Sequence, residues 1–396
     1  MTRIRFLHTS DLQLGMKRHF LDPDAHARFD AARLAALARI GEVAVQEKCD
    51  FIVMAGDIFE YNSVSPRTLG RALEIFQKFS IPTYLLPGNH DPLVADSILR
   101  RVVAAANNEN LYLIENNQPI FINDAETVQI IGAPLLARHV NRDLVAEAVA
   151  DLAPDPTIRV VVGHGQPYGY GGEELDLIDI KALEPMLKAG TIDYVALGDT
   201  HSETKLSETG AIWFSGAPEV TDFRGPDGGM EHKSGFALLV DIEKTAPQQA
   251  QVEVTSQPIG QWRFQALEAD INSSAEVADF LSVLQNLPHK ERTVIKYALR
   301  GSLDLAAMQQ LEGGISQLRP VFAALYPRER LMDLHLNPDA TELSDLQLTG
   351  FPAAALNELA AAEETAAISL FFRLLAPLQP QHTPPAWEAL AAKDQK

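Results

Sequence analysis

Five β-rich runs of this chain each end in a short polar cluster, and this ordered set constrains the fold more than any other feature. The clusters, in chain order, are His8-Thr9-Ser10-Asp11-Leu12-Gln13, Ala55-Gly56-Asp57, Pro87-Gly88-Asn89-His90-Asp91, Gly163-His164-Gly165 and Gly198-Asp199-Thr200-His201. Helical patterns lie between several of the runs, notably at 25–47 and 66–79. Alternating strands and helices are typical of an α/β layered fold with much parallel sheet. Because ligands bind at the carboxyl ends of strands in such sheets, the clusters predict loops that converge on one site.

Each cluster by itself has an ordinary structural explanation. A strand-end aspartate is more often a cap or turn residue, Gly56-Asp57 recurs by chance, and His164 alone is more often a structural histidine. Five such clusters in order are hard to obtain by accident, and their side chains suit a two-metal centre. Two cations about 3.5–4 Å apart can clamp a phosphate and activate a water, with a carboxylate such as Asp57 between them. Oxygen and imidazole ligands without a thiolate suit Mn²⁺, Fe or Zn²⁺, with Mn²⁺ favoured if oxygen ligands dominate.

The charge and the cysteine content exclude several classes of protein. The chain has 53 acidic and 33 basic residues and a formal net charge of −20, which argues against a protein that holds nucleic acid by bulk charge alone. Its single cysteine excludes an internal disulfide framework, a Cys-based zinc finger and an iron–sulfur cluster, and it fits a reducing compartment. The sequence contains no run of about 18 apolar residues, so no membrane-spanning helix is predicted. The first residues do not resemble a signal peptide. We therefore expect a cytoplasmic protein without membrane association.

The pattern along the chain changes near residue 260, which predicts three parts. Residues 1–260 contain the polar clusters, and their β-rich stretches between 211 and 258 are interpreted as a second sheet packed on the first. Residues 261–340 alternate helix-like and strand-like runs, which predicts a small α/β domain. Residues 341–396 combine an Ala-rich helical region, at 353–375, with a Pro-rich tail.

The order of the clusters resembles the calcineurin-like metallophosphoesterase signature D-x-H, G-D, G-N-H-D/E, G-H and G-H-x-H. Within that superfamily the chain is similar to the SbcD-type exonuclease subunit of the bacterial SbcCD DNA-repair complex. Residues 8–15 resemble the H-T-S-D-W-H-L-G start of that family, 214–219 its S-G-S-P-E segment, and 235–241 its G-F-x-L-V strand. The resemblance covers residues 1 to about 245. It implies a two-sheet sandwich flanked by helices, followed by a small α/β capping domain and C-terminal helices.

The resemblance also implies a role for each cluster residue. One metal ion would be bound by Asp11, Gln13, Asp57 and His201, and the other by Asp57, Asn89, His164 and Asp199. His90 would face the phosphate, where it stabilises the transition state or protonates the leaving oxygen. Asp91 would tune or orient the site, and a role as an ordinary turn residue stays open.

Two of these positions depart from the family pattern. Gln13 stands where the family has a histidine, and Asp199 stands where it has the first histidine of G-H-x-H. An amide oxygen and a carboxylate replace two imidazoles, so we expect metal preference to move from Zn²⁺ towards Mn²⁺ or Mg²⁺. The chain is then either an active enzyme with altered metal choice or a scaffold that has lost a metal. The six site residues that match the pattern favour the active enzyme.

The resemblance implies a metal-dependent phosphodiesterase that hydrolyses DNA, an exonuclease or endonuclease subunit of an SbcCD-like complex. Its implied partners are DNA, a long coiled-coil ATPase of the SbcC type and a second copy of the chain. Lys17 and Arg18, with His19, follow the first cluster directly and are candidate contacts for a phosphate backbone; a solvated loop is the alternative. The other basic candidates are scattered, at Arg138, His139, Arg142, Arg224 and Lys233. The apolar run within 353–375 is a candidate docking element for the ATPase, or a helix packed on its own chain. Two other functions stay open, a small-molecule phosphodiesterase or phosphatase and a non-enzymatic scaffold.

Overall fold

The computed structural model describes residues 1–168, 178–224, 231–337, 350–362, 367 and 370–371. The chain divides into two compact units, of which the first comprises Met1–Lys17 and His26–Trp262 and the second comprises Arg18–Ala25 and Arg263–Lys396. The short segment Arg18–Ala25 therefore belongs with the C-terminal part of the chain, which its sequence does not indicate. The division into domains at 1–260, 261–340 and 341–396 stays a prediction.

The secondary structure alternates strands and helices through most of the described chain. The strands are β1 (Thr2–Thr9), β2 (Phe51–Ala55), β3 (Thr83–Leu86), β4 (Leu111–Leu113), β5 (Ile120–Phe121), β6 (Val128–Gly132), β7 (Ile158–His164), β8 (Tyr194–Gly198), β9 (Thr204–Lys205), β10 (Ile212–Phe214), β11 (Phe236–Lys244), β12 (Ala250–Pro258), β13 (Arg263–Asp270), β14 (Thr293–Leu303), β15 (Ala324–Pro327) and β16 (Asp333–Leu336). The α-helices are α1 (Pro23–Gln46), α2 (Pro66–Phe76), α3 (Ile98–Ala106), α4 (Leu144–Val149), α5 (Ile180–Ala189), α6 (Ser274–Asn286), α7 (Leu305–Leu318) and α8 (Phe351–Ala361).

In the first unit, described strands form a six-stranded sheet in the order β12-β11-β1-β2-β3-β4. Strands β1 to β4 run parallel, whereas β11 pairs antiparallel with β1, with Val240 opposite Phe6. The interpretation of residues 236–258 as part of a second sheet is therefore wrong. Their backbone hydrogen bonds extend the first sheet because β11 returns alongside β1, and β12 pairs antiparallel with β11.

A second six-stranded sheet of the described residues has the order β5-β6-β7-β8-β10-β9. Its central strands β6, β7, β8 and β10 run parallel, and Gly198 at the end of β8 pairs with His164 at the end of β7. The expected α/β fold with two sheets and flanking helices is confirmed.

Alternation along the strands distributes apolar side chains to the two faces of the first sheet. In β2, Ile52 and Met54 belong to the core shared with α1, α2 and α3. Val53 and Ala55, which alternate with them, belong to the core between the two sheets. The other face of the second sheet, with Val161 among its residues, packs against α4 and α5. The layers are therefore helix, sheet, sheet and helix, and the strand ends that carry the polar clusters lie in the middle two.

The second unit has a core of its own. Strand β14 pairs parallel with β13, β15 and β16, and α6 and α7 contribute the apolar side chains that cover this sheet. Ser273 and Asp304 cap the two helices by accepting the backbone N–H groups of Glu276 and Ala307.

Helix α8 covers the start of the helix predicted at 353–375, and the rest of that prediction lies mainly outside the described residues. None of the helices in the described ranges is both long and apolar enough to cross a membrane.

Candidate metal centre

The loops after β1 and β2 lie side by side and carry Asp11 and Asp57. The backbone N–H of Asp11 donates to the carbonyl of Gly56 at 3.0 Å, and that of Gln13 donates to the carbonyl of Asp57 at 2.9 Å. Asp11, Gln13 and Asp57 have positive φ angles of 54°, 44° and 54°, and Asp199 has one of 104°. Positive φ is uncommon and costs energy for residues other than glycine. The hydrogen bonds between the loops therefore hold these side chains at the site against the local backbone preference.

Asp91 anchors the backbone of the loop that carries Asp57. Its buried carboxylate accepts the backbone N–H groups of Gly88 at 2.8 Å, Asp57 at 3.2 Å, Ile58 at 2.8 Å and Phe59 at 3.0 Å. Burial raises the pKa of Asp91 to about 6, and the charge of Asp57 acts in the same direction. The structure therefore places Asp91 on the backbone of the loop, where it positions Asp57.

Two glycines allow the loops to approach each other this closely. A Cβ atom on Gly88 would lie 2.2 Å from Oδ1 of Asp57. One on Gly56, whose φ is +89°, would lie 2.3 Å from Nδ1 of His164. A side chain at either position would displace a candidate ligand, so glycine is required for the geometry of the site.

Four of the predicted ligands meet around His164. Its Nε2 lies 3.4 Å from Oδ1 of Asp57, 3.2 Å from Oδ1 of Asn89 and 3.7 Å from Oδ1 of Asp199. Its Nδ1 donates a hydrogen bond to the carbonyl of Ala55 at 2.8 Å. This bond leaves the Nε2 lone pair of the neutral ring directed at the three oxygens, which is the tautomer that a metal ligand needs.

The other predicted group centres on His201. Its Nε2 lies 3.9 Å from Oδ1 of Asp11 and 3.1 Å from the Gln13 side-chain amide. Ligand atoms of Asp11, Asp57 and His164 lie within 4.8 Å of one another, so the two groups adjoin. The structure therefore brings the seven residues predicted as ligands into one cluster.

Two residues that the sequence does not single out orient His201. Its Nδ1 donates to Oγ1 of Thr221 at 2.5 Å, and the Thr221 hydroxyl donates in turn to Oε2 of Glu231. Glu231 is buried, and it also accepts the backbone N–H of Asp222 at 2.8 Å. The chain of bonds keeps the proton on Nδ1, so the lone pair on Nε2 of His201 faces Asp11 and the Gln13 amide, where it would bind a metal. Thr221 follows the 214–219 segment by two positions, which is a weak signal, and the sequence carries none for Glu231.

The described side chains fit divalent metal ions. The buried atoms Oε1 of Gln13 and Oδ2 of Asp199 accept no hydrogen bond from the described residues. Buried polar atoms nearly always have a partner, so these two oxygens have the character of metal ligands. Burial raises the pKa of Asp11 to about 8, and the charge of Asp57 acts in the same direction. A cation among the carboxylates would offset their charges and keep Asp11 ionised.

His90 lies at the accessible side of this cluster. Its backbone N–H donates to Oδ1 of Asp57 at 2.9 Å, and its ring Nδ1 donates to the carbonyl of Glu60 at 3.1 Å. The ring Nε2 lies 4.0 Å from Oδ2 of Asp57. The His90 side chain is 24% exposed, whereas that of His164 is fully buried, so His90 can be reached by a substrate.

Lys17 and Arg18, the two predicted DNA contacts, are not among the candidate metal ligands. Lys17 is exposed, and its charge acts on Asp30 in α1. Arg18 belongs to the second unit. Binding of DNA by Lys17 and Arg18 stays a prediction.

Comparison with known proteins agrees with the geometry. Over 272 residues the chain is 23% identical to the DNA double-strand break repair protein Mre11 of Saccharolobus solfataricus, which covers 64% of this chain and 65% of the relative. It is 25% identical over 256 residues to the Archaeoglobus fulgidus protein of the same name, covering 61% of this chain and 56% of that one. It is 26% identical over 218 residues to the uncharacterized metallophosphoesterase YhaO of Bacillus subtilis, covering 52% and 51%. The chain thus spans between half and two thirds of the length of these three curated relatives.

The family to which the chain is assigned follows from its match to a family model. The model of the calcineurin-like phosphoesterase family matches residues 4–203, about half of the chain, and this range contains all seven candidate ligands and His90. The chain belongs to the calcineurin-like phosphoesterase family.

Proposed function

We propose that this chain is a metal-dependent phosphodiesterase that hydrolyses DNA in the cytoplasm, as the nuclease subunit of an SbcCD-like repair complex. The observation that carries the proposal is the position of His90. It is an accessible imidazole whose Nε2 lies 4.0 Å from Asp57, at the edge of a cluster with seven candidate metal ligands. This arrangement suits a phosphodiester that binds at the metals with its leaving oxygen beside His90.

The residues divide the chemistry between them. Two bound divalent ions, with Mn²⁺ favoured, would neutralise phosphate oxygens and lower the pKa of an attacking water. His90 in its protonated form donates the Nε2 proton to the leaving oxygen, while the Glu60 carbonyl holds Nδ1–H. The Glu60 carboxylate, 3.8 Å from Nδ1, stabilises that protonated ring. After transfer the ring is neutral and takes up a proton from water before the next cycle.

The choice of DNA as substrate rests on the relatives, and the net charge points to a partner that binds the DNA. Two of the relatives are named as DNA double-strand break repair proteins, and the resemblance in the site loops points to the same class. With a net charge of −20, the chain binds DNA weakly by itself. A coiled-coil ATPase partner and a second copy of the chain would then supply most of the affinity for DNA.

Two substrates test the enzymatic proposal. We expect hydrolysis of bis-p-nitrophenyl phosphate with Mn²⁺, and cleavage of single- or double-stranded DNA under the same conditions. His90→Asn should reduce DNA cleavage at least about 100-fold, since general acid catalysis contributes that much, and should reduce hydrolysis of bis-p-nitrophenyl phosphate less, because p-nitrophenolate leaves without a proton. His289→Asn, at an exposed histidine of the second unit, is the matched control and should leave both unchanged. Hydrolysis of the small ester without DNA cleavage would favour a small-molecule phosphodiesterase, and inactivity on both would favour a scaffold.

The partner proposal has a separate test. Deletion from Ala353 onward removes most of α8 and the apolar run that follows it. We expect the shortened chain to keep its hydrolysis of bis-p-nitrophenyl phosphate and to lose co-purification with an SbcC-type ATPase. Retained co-purification would place the docking element elsewhere.

A further inference from the structure

An exposed aromatic ring lies next to the candidate catalytic histidine. Tyr61 is 53% exposed, and its ring centroid lies 6.3 Å from that of His90 at an interplanar angle of 35°. Large aromatic side chains gain most when they are buried. An exposed tyrosine ring beside the reaction centre therefore offers a flat apolar surface to a ligand.

The backbone around Tyr61 is held rigidly. The Asn62 side chain accepts the N–H of Ile98 at 2.8 Å and donates to the carbonyl of Pro92 at 3.1 Å. The Arg101 guanidinium donates to the Asn62 carbonyl. On the other side, Asp91 fixes the loop that leads to Glu60 and Tyr61. The ring is thus presented to solvent by a loop with little freedom, so little entropy is lost when a ligand stacks on it.

A positive charge lies on the segment that runs beside the His90 loop. The N–H of Leu135 donates to the carbonyl of Pro87 at 3.4 Å and its carbonyl accepts the N–H of Leu93 at 2.8 Å, so Arg138, three residues further along, lies near this loop. The charge of Glu60 and the hydrogen bond that its carboxylate accepts from the Tyr61 hydroxyl raise the pKa of Tyr61, and the charge of Arg138 acts in the opposite direction. Arg138 is exposed, and it takes part in no ion pair or hydrogen bond with the described residues. Tyr61 therefore combines a free aromatic face with a nearby guanidinium that is available to a phosphate.

We propose that Tyr61 stacks on the nucleobase next to the scissile phosphate and that Arg138 binds a neighbouring phosphate of the same strand. This inference rests on the proposed nuclease function and adds the form of the substrate. A base inside a duplex has both faces covered by its neighbours, so only an unstacked base can lie on Tyr61. The site is therefore built for an unpaired nucleotide at or near the cleavage point. An aromatic ring with a basic group along the backbone is the usual combination in proteins that bind single strands.

The test compares cleavage beside a base with cleavage beside no base. Two single-stranded oligonucleotides differ at one position, which carries thymidine in one and an abasic tetrahydrofuran residue in the other. Cleavage at the linkages flanking that position is measured with Mn²⁺ for the wild type, Tyr61→Ala and Tyr61→Trp. Tyr112→Ala is the matched control, because Tyr112 is also a partly exposed tyrosine of the first unit, stacked on Tyr84.

We expect the wild type to cleave at least about fivefold faster beside thymidine, the lower end of the effect of one base–aromatic stack. Tyr61→Ala should bring this ratio close to one, whereas Tyr61→Trp and Tyr112→Ala should preserve it. An unchanged ratio in Tyr61→Ala with DNA still cleaved would overturn the stacking proposal and leave the nuclease proposal intact. No cleavage of either oligonucleotide by the wild type would overturn both.

Arg138 has an independent readout in the salt dependence of cleavage. Each phosphate contact on a single strand contributes about 0.7 to the slope of log affinity against log salt. We expect Arg138→Ala to reduce the slope for kcat/KM by about that amount, and Arg138→Lys to retain it. An unchanged slope in Arg138→Ala would overturn the phosphate contact.

Discussion

Replacement of Thr221 by valine tests whether the bond chain behind His201 controls metal binding. Valine keeps the shape of threonine and removes only the hydroxyl. That hydroxyl accepts the Nδ1 proton of His201 and donates to Glu231. Without it, nothing in this chain of bonds keeps the proton on Nδ1, and the ring is free to carry the proton on Nε2, the atom that faces Asp11 and Gln13.

The size of the effect follows from the contacts that are lost. Loss of a bond that orients a ligand typically weakens metal affinity 10- to 100-fold, or about 1.4–2.8 kcal/mol. The cost to folding should be about 1–3 kcal/mol for two lost hydrogen bonds. Glu231 retains the backbone N–H groups of Thr221 and Asp222, so its carboxylate keeps partners.

Isothermal titration of the metal-free protein with Mn²⁺ measures this directly. We expect one of two binding events to weaken in Thr221→Val and to recover in Thr221→Ser, which restores the hydroxyl. Thr83→Val is the control, since the buried Thr83 hydroxyl donates to the carbonyl of Ile81 and contacts no candidate ligand. Equal Mn²⁺ affinity in Thr221→Val and the wild type would refute the role of the bond chain.

Three further predictions address other parts of the site. Asp91→Asn replaces one carboxylate oxygen by an amide NH₂ that faces two buried N–H donors, so it should lower the free energy of unfolding by about 2–6 kcal/mol in urea; unchanged stability would contradict the anchoring role. Burial lowers the pKa of His8 to about 3 in the folded chain. In the unfolded chain the pKa of this histidine is about 6.5, so the unfolded chain binds the proton more strongly. Stability should therefore fall by up to about 1.4 kcal/mol per pH unit below pH 6.5, and His8→Asn should lose this part of the slope; an equal slope in both proteins would exclude His8 as its source. Gln13→His should raise activity with Zn²⁺ relative to Mn²⁺ because an imidazole replaces an amide oxygen; unchanged metal dependence would place Gln13 outside the metal contacts.

The candidate ligands could be found from sequence because each lies directly at or after the end of a buried strand. Asp57 follows β2 and Asp199 follows β8, and the fold then brings strand ends together. Neither Thr221 nor Glu231 follows directly on a strand of the described residues, yet their side chains form a hydrogen bond although they are ten positions apart in the sequence. Local patterns contain no information about such a contact.

The sequence indicates where a strand lies more readily than it indicates which neighbouring strand it pairs with. The pattern at 236–258 indicates β structure, but the choice between two sheets depends on the pairing of Thr2 with Lys244 across the whole first unit. Strand β13 has a weak sequence pattern because its residues are mostly half-buried or exposed, with only Phe264 fully buried, and this blurs the alternation that marks a strand.

The grouping of Arg18–Ala25 with the C-terminal unit has a consequence for synthesis. Phe20 packs against Phe264 and Tyr326, with ring centroids 5.5 and 5.8 Å away. On the ribosome Phe20 emerges about 240 residues before Phe264, which at roughly 5–20 residues per second is a wait of roughly 12–50 s. During that interval the segment has neither aromatic partner, and a fragment ending at Trp262 would lack both permanently. Recombinant fragments of the first unit should therefore either retain residues 263–337 or replace Phe20 with a polar residue.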